Sequence, residues 1–400
     1  MKIKGENLIS LRHKNRAAVL RVLSSKSMTM LELAHEIKLS NTGTVTIVEE
    51  MVGEGILCKE NMTFNSVGRH PYLIRINDRC GVVCLINFSY SKKFYLCSLS
   101  GKTLYTGTLH AEQNEYLHSM FTPRTFELLV KEVKEWLSAN QMKLLKVCVA
   151  APGIVDSKEG RLVYAPSFRL HGNMSIKAYF EEAFGVETCI KNDLKFALLA
   201  EKQSAALGPR IQDTLMIQLG EGIGSALFMK GELYEGSRGR GSEIGMFNLD
   251  CLHGSCFDEK ENLFYRITSY HHICEEAAKE IRAGTPCCIA DRVDSLRIED
   301  VVFGYENGDP LCNKILDSCA RITAAVIASL CYVIDFSNVI VLKRNFRFGL
   351  RYLRKVEEYA NQSGMNISFF LSCCDGEEEF RASMFHYCAE SVLWAVAKRN

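Results

Sequence analysis

No run of apolar residues in this chain reaches the roughly 18 needed to cross a bilayer, and its first residues hold no apolar segment of the kind that drives secretion. A cytoplasmic protein with no membrane partner is the expectation. Net charge is nearly absent as well: 48 Lys and Arg stand against 47 Asp and Glu, a formal charge of +1, which excludes bulk attraction of the whole molecule to nucleic acid. A disulfide framework is also missing. The 17 cysteines are scattered through strand-like and helix-like stretches, as at Cys84, Cys97, Cys148, Cys189, Cys319 and Cys331, and are expected to be small reduced core residues. The adjacent pairs Cys287-Cys288 and Cys373-Cys374 lack metal-ligand spacing. What remains is an ordinary composition, 47% hydrophobic and 24% charged, on a chain long enough for about two or three domains.

The charge that is present is unevenly placed. Residues 1–26 hold Lys2, Lys4, Arg12, Lys14, Arg16, Arg21 and Lys26 against Glu6 alone, which suggests a basic module on a near-neutral body, although a solvated helix face would look the same. Ala17, Val19, Leu20, Val22 and Leu23 recur at helical spacing over 13–23, and Thr29-Met30-Leu31-Glu32 is a capping-box pattern opening a second helix through Ile37. Ser40 is a good N-cap for a third, with an apolar face expected from Val45, Val48, Met51 and Val52 before Gly53 and Gly55 end it. Three short helices with a tight turn at Lys38-Leu39-Ser40 form the helix-turn-helix pattern, or else a trihelix that only packs.

In the first case Ser40, Asn41, Thr42, Thr44 and Thr46 lie near the start of a recognition helix, away from its core face. Asn bonds adenine in a bidentate way, and Thr bonds bases or phosphates or touches a thymine methyl. Gly43, costing roughly 1 kcal/mol relative to Ala inside a helix, suits close backbone approach to DNA. Two alternating runs, 56–60 and 66–76, around a polar tip read as a β-hairpin wing. Gly68-Arg69 falls where a winged protein inserts an arginine into the minor groove, or serves as a linker. The resulting division is a winged helix-turn-helix domain at 1–78 and a larger body at 79–400.

The body alternates strands and helices, with strands at 81–88, 93–98, 102–109 and 144–150 and a long helix at 125–140, which predicts α/β lobes. Between strand-like 214–218 and 225–229, Leu219-Gly220-Glu221-Gly222-Ile223-Gly224 has the form of a phosphate-binding glycine turn. Glu221 places a carboxylate where a phosphate would go, and like charges at that range repel strongly, which argues against ATP chemistry.

The order of the winged helix, Gly68-Arg69-His70-Pro71, Ala151-Pro152-Gly153-Ile154-Val155-Asp156, Tyr164-Ala165-Pro166, Lys191-Asn192-Asp193, Gly222-Ile223-Gly224 and Ser242-Glu243-Ile244-Gly245 resembles the ROK family of repressors and sugar kinases over nearly the whole chain. The resemblance implies an actin-like ATPase fold of two α/β lobes, with a sugar and nucleotide cleft near 192–245 and, in the repressor branch, an N-terminal winged helix. It implies sugar contacts at Gly153, Ser167, Asn192, Asp193 and Glu243, with Ser167 where the family often has asparagine. Donors and acceptors of these types satisfy sugar hydroxyls and reject analogues lacking one. Asp193 stands at the family's general base, which takes the proton of the attacking sugar hydroxyl. The pair Asn192-Asp193 would otherwise be a turn or helix cap.

Departures from the family pattern fall on nucleotide positions. Asn87-Phe88-Ser89-Tyr90-Ser91 aligns with the Asp-x-Gly-x-Thr run but lacks its aspartate, a magnesium-associated carboxylate, and its glycine. Glu221 replaces the usual threonine, and Lys343 and Arg344 crowd the surface the family uses for adenosine. Phosphoryl transfer rests on positioning and charge neutralisation, so these losses predict a protein that is not an enzyme. The family's structural zinc loses two ligands, since Met246 replaces its histidine and Leu249 its first cysteine. No cofactor is therefore expected, unless Cys251, His253 and Cys256 form a zinc site with one further donor. Asp258 falls near a family glutamate that contacts sugar.

These readings predict a DNA-binding regulator of carbohydrate metabolism, a repressor, that senses a sugar or sugar derivative without phosphorylating it. Its expected partners are operator DNA, the effector and further copies of itself in a homodimer or homotetramer. The alternatives are an active ATP-dependent sugar kinase with a DNA-binding extension, and a regulator whose body is a ligand-free scaffold.

Overall fold

Two side-chain caps set the architecture of the N-terminal segment. The computed structural model describes residues 8–61, 72–89, 91–110, 112–114, 117–165, 170–249, 263–362 and 364–398. It begins with α1 (Leu8–Leu23) and a short strand β1 (Met28–Thr29). Thr29 Oγ1 accepts the Glu32 backbone N–H at 3.4 Å while the Glu32 carboxylate accepts the Thr29 N–H at 2.8 Å, and this reciprocal box opens α2 (Met30–Glu36). Lys38, in the left-handed region at φ 55°, turns the chain. Ser40 Oγ then accepts the Gly43 N–H at 3.2 Å and opens α3 (Asn41–Gly53). Strands β2 (Leu57–Asn61) and β3 (Tyr72–Ile76) pair antiparallel, from Leu57 opposite Ile76 to Asn61 opposite Tyr72, and β1 pairs with the other edge of β3.

The buried face of α3 differs from the expected one. Thr44, Ile47, Val48 and Met51 point inward, at the i, i+3, i+4, i+7 spacing of an amphipathic helix, while Val45 is 40% exposed. Thr44, expected on the DNA face, is fully buried. Its methyl is apolar and its hydroxyl donates to the Ser40 carbonyl at 3.0 Å, so the side chain carries no unmet polar group into the core. The basic N-terminal charge is also partly neutralised internally, because Arg12 and Arg16 bind Glu50 and Glu54 at the far end of α3's sequence and Arg21 binds Glu390.

The chain divides into two compact units, Met1–Lys191 with Arg381–Asn400, and Asn192–Phe380. Beyond the N-terminal segment the first unit is built on a five-stranded sheet. β4 (Val82–Asn87), β5 (Lys93–Ser98) and β6 (Thr103–Thr108) form an antiparallel meander. Every residue of β4 is buried, as expected of a strand covered on both faces. A two-stranded ribbon of β7 (Glu112–Asn114) and β8 (Leu117–Ser119) leads to α4 (Pro123–Asn140), after which β9 (Leu144–Ala151) adds parallel to β4. A small sheet of β10 (Ile154–Asp156), β11 (Arg161–Ala165) and β12 (Leu170–Ser175) precedes α5 (Ile176–Phe184), and β13 (Thr188–Asn192) completes the order β13-β9-β4-β5-β6. The C-terminal helix α12 (Glu377–Ala397) returns to this unit from Arg381 onward. There the Lys146 ammonium of β9 donates to Ser391 Oγ at 2.7 Å and to the Glu187 carboxylate at 2.8 Å.

The second unit opens with α6 (Asp193–Gln203) and holds a mixed sheet. β14 (Thr214–Leu219) and β15 (Ile223–Met229) form a hairpin, extended at one edge by β16 (Glu232–Leu233). α7 (Phe264–Ile267), α8 (Tyr270–Arg282), α9 (Ile298–Glu306) and α10 (Pro310–Ile334) follow, and β17 (Asn338–Val341), α11 (Gly349–Asn361) and β18 (Ser368–Leu371) finish a parallel run β14-β17-β18. Among the described residues α10 alone has the length, 25 residues, and mean hydropathy, 1.5, of a membrane-crossing segment. Leu311, Ile315, Leu316, Ala320, Ala324 and Ile327 instead place one face of it in the core of this unit, and Lys314, Asp317 and Arg321 interrupt its apolar sequence.

Candidate functional site

On α3 the structure leaves Asn41, Thr42, Val45 and Thr46 exposed at the N-terminal end. Thr46 Oγ1 donates to the Thr42 carbonyl at 3.0 Å. Ser40 is exposed too, but its hydroxyl is occupied as the helix cap. Val45, expected in the core, takes the exposed place expected of Thr44. The spacing 44, 47, 48, 51 carried that information, hidden because threonine counts as a polar residue. Arg69 lies outside the described residues.

The sugar candidates divide between the units. In the first, Gly153 follows β9 at φ +83°, and a Cβ there would lie 2.2 Å from the Tyr164 carbonyl oxygen, so only glycine fits. Ser167 lies outside the described residues. In the second unit Asn192 and Asp193 begin α6. Asn192 Oδ1 accepts the Leu194 N–H at 2.9 Å, so this residue is the helix cap that its type also suggested, and Asp193 Oδ1 accepts the same N–H at 3.0 Å. Glu243 follows Ser242, which sits at φ 72°, and precedes a 3₁₀ turn, Ile244–Met246. A Cβ on Gly245 would lie 2.3 Å from the Ile223 carbonyl oxygen, which explains glycine in Glu243-Ile244-Gly245 without reference to a ligand.

These side chains share one electrostatic environment. Burial pushes the Glu243 carboxyl up to about 7; the Asp193 carboxylate adds to the rise and the Lys195 ammonium opposes it. Lys195 is a residue that sequence alone did not single out. It is 1% exposed and donates to the Gly239 carbonyl at 2.5 Å, and its only signal in the sequence is a cation two residues after Asp193 in the otherwise apolar run 194–200. Asp193 and Glu243 offer a hydroxyl-bearing ligand hydrogen-bonding groups, and the buried Lys195 ammonium supplies a counter-charge beside them.

The departures noted at Asn87 and Glu221 fall in different units. Asn87 is buried, and its Oδ1 accepts the Ser89 N–H at 3.0 Å, so the side chain closes its own turn instead of offering a carboxylate to a metal. Phe88 packs against Phe121 and Phe126 with ring centroids 4.8 and 5.5 Å away. In the second unit Leu219 pairs with Ile223, leaving Gly220, Glu221 and Gly222 as the hairpin tip with Glu221 exposed. Tyr270 fixes this tip: its N–H donates to the Gly220 carbonyl at 3.2 Å, its hydroxyl donates to the Asn345 carbonyl at 2.6 Å, and the same hydroxyl oxygen accepts the Arg347 N–H at 2.6 Å. A cavity of about 510 Å³ opens here, lined by Glu221, Glu299, Arg297, Arg347, His271 and Cys274 among others. Its acidic side is felt by Cys274, whose thiol is pushed up to about 11 by burial and then by Glu221, Asp300 and Glu299. Arg344 donates to the Asp375 carbonyl, and Lys343 is exposed.

Cys251, His253, Cys256 and Asp258 lie outside the described residues. Met246, at the family's histidine position, is 40% exposed. Among the described residues two groups bring thiols to a carboxylate, Cys373 and Cys374 at Glu201, and Cys287 and Cys288 at Asp309, although neither pair has ligand spacing in sequence.

Known proteins match this chain along its length. A xylose repressor of Caldicellulosiruptor bescii is 20% identical over 367 residues, 89% of each chain. A beta-glucoside kinase of Klebsiella pneumoniae is 26% identical over 191 residues, 47% of this chain and 59% of the kinase. The solved structure of a ROK family transcriptional regulator, a homologue of the Escherichia coli Mlc protein, superposes with a TM-score of 0.70 at 17% identity, covering 97% of this chain and 99% of that one. The sequence model of the ROK family matches residues 100–345, more than half of the chain, and the protein belongs to the ROK family.

Proposed function

We propose that this ROK protein is a sugar-responsive transcriptional repressor of carbohydrate metabolism, a cytoplasmic homo-oligomer that binds operator DNA through a winged helix-turn-helix at its N-terminus. The observation that carries the reading is α3, a capped helix after a tight turn whose exposed N-terminal face offers Asn41, Thr42, Val45 and Thr46. An amide, two hydroxyls and three methyl-bearing side chains suit base edges and thymine methyls in the major groove. The xylose repressor among the relatives supports the same reading.

The effector is a sugar or sugar derivative, held by Asn192, Asp193 and Glu243, with Gly153 and Ser167 as further contacts and the buried Lys195 cation tuning the Glu243 carboxyl. Control requires the sugar to bind the operator-competent and operator-incompetent states unequally. Asp193, with no phosphoryl donor to serve, acts as a hydrogen-bond acceptor. Glu221 supports the absence of kinase activity, since a carboxylate at the tip of the glycine turn repels a triphosphate.

The test is anisotropy titration of the chain's own upstream DNA at several salt concentrations, with wild type and Asn41→Ala/Thr42→Ala/Thr46→Ala. Selective binding should fall by roughly 1–3 kcal/mol for each base-reading side chain removed, with the nonspecific, salt-limited component unchanged. Equal binding by both proteins would remove α3 as the reading element. A second reading, sugar phosphorylation, is favoured by the surviving cavity of about 510 Å³ beside the glycine turn and by Asp193. It predicts sugar-dependent ADP release, which the repressor reading does not.

A further inference from the structure

We infer that the second unit carries a metal site of its own, in which Cys287, Cys288, Cys312 and Asp309 bind a zinc-like divalent cation. The four residues come from the loop that follows α8 and from the start of α10. Asp309 caps α10, its Oδ1 accepting the Cys312 N–H at 3.0 Å and its Oδ2 accepting the Cys288 N–H at 2.8 Å. Cys287 Sγ lies 3.3 Å from Asp309 Oδ1 and 3.8 Å from Cys312 Sγ. The ligand atoms of Cys287, Cys288 and Asp309 all lie within 4.8 Å of one another.

The two separations from Cys287, 3.3 Å to Asp309 and 3.8 Å to Cys312, match two edges of a coordination tetrahedron, and the ion would draw Cys288 and Cys312 together to close the rest. With zinc–sulfur bonds of about 2.3 Å and zinc–oxygen bonds of about 2.0 Å, two sulfurs are about 3.8 Å apart and a sulfur and an oxygen about 3.5 Å. The scaffold makes room for a sulfur: a Cβ on Gly304 of α9 would lie 2.4 Å from Cys312 Sγ, so a side chain there would displace it. Outer partners are in place as well, because the N–H groups of Cys288 and Cys312 already orient the carboxylate, as second-shell donors do at built metal sites. The thiol of Cys287 donates to the carboxylate, so a cation arriving at that edge replaces a proton and needs little rearrangement.

Binding forms three metal–sulfur bonds and one metal–oxygen bond, releases the thiol protons to solvent and moves no electrons. Three thiolates and a carboxylate around a divalent ion leave a net charge of −2, which faces the positive end of the 25-residue α10. A sulfur-rich set selects zinc and its chemical relatives over magnesium or calcium. Its ligands do not include Cys251, His253 or Cys256. Its consequence is local: the loop it ties to α10 runs on to Leu296 and Arg297, which line the cavity at the glycine turn, so the ion would hold that wall in place.

The test is cobalt titration of the full chain, reduced and stripped of metal, under anaerobic conditions. One equivalent of Co²⁺ should give a thiolate-to-cobalt charge-transfer band in the near ultraviolet and the strong visible bands of a tetrahedral site, both abolished by Zn²⁺. Cys287→Ser and Cys312→Ser should each lose part of the charge-transfer band and weaken binding roughly tenfold or more, while Cys251→Ser/Cys256→Ser should keep both. Cys288→Ser alters an exposed residue and gives the same reading if the core variants fail to fold, as judged by their metal-free melting. Absence of the bands in wild type, their survival in all three single variants, or their loss in Cys251→Ser/Cys256→Ser would overturn the site.

Discussion

Thr42 and Thr44 stand two residues apart on one helix, one exposed and the other fully buried. Thr44→Val keeps the buried shape and gives up a single bond to the Ser40 carbonyl, so operator affinity should be unchanged and stability should shift by less than about 1.5 kcal/mol. Thr42→Ala should weaken operator binding and leave the melting temperature alone, a contrast that paired titration and melting curves would read. Two glycines of the hairpin region separate in the same way. Gly245→Ala pushes a Cβ to 2.3 Å from a backbone oxygen and should lower stability by about 1–3 kcal/mol, whereas Gly222→Ala meets nothing within 4 Å and should stay within about 0.5 kcal/mol, both read by urea unfolding. Glu243 gives a pH signature. Its folded carboxyl is raised to about 7, so the stability it contributes is fully present below the ordinary carboxylate range and is lost as pH rises through about 7. Relative to Glu243→Gln, wild type should therefore lose stability between pH 5 and pH 8. Residue identity made Asn192, Asp193 and Glu243 legible as polar candidates; it could not reveal Lys195, whose significance lies in being buried beside two carboxylates.

Within elements, the most consequential contact is the one fastening α1 to α3. Arg16 is 1% exposed and its guanidinium is held by the Glu54 carboxylate, whose pKa falls because Arg16 donates to it. Glu54→Gln leaves a buried cation without its counter-charge and should cost about 1–3 kcal/mol by chemical unfolding. The sign with pH is opposite to that of Glu243: the pair's contribution is present above the ordinary carboxylate range and fades as pH falls through the lowered value, and the Gln variant should lack that slope. Helix starts were readable because caps are local, as Thr29 with Glu32 and Ser40 with Gly43 demonstrate. Strands were readable because β4 and β9 are nearly continuous apolar runs. The cluster at Asp309 was not, since Cys287 and Cys312 are 25 residues apart and only the packing of α9, α10 and the preceding loop joins them.

At the scale of the molecule, the repressor reading makes a ligand prediction. A saturating sugar at about 100 times its dissociation constant should stabilise the fold by about 2.7 kcal/mol, and Mg-ATP should add nothing. A melting-temperature rise that required ATP would favour the kinase. An α/β body followed from the alternation of strands and helices in sequence, but the strand order of neither sheet did, nor the return of the final helix to the first unit from the far end of the polypeptide. That arrangement has a temporal meaning. Residues 192–380 leave the ribosome as an uninterrupted segment, whereas the unit that holds α3 is complete only with Arg381 and the residues after it, which include the Ser391 partner of Lys146 and the Glu390 partner of Arg21. A change near the far end of the polypeptide is therefore felt in the unit that holds α3.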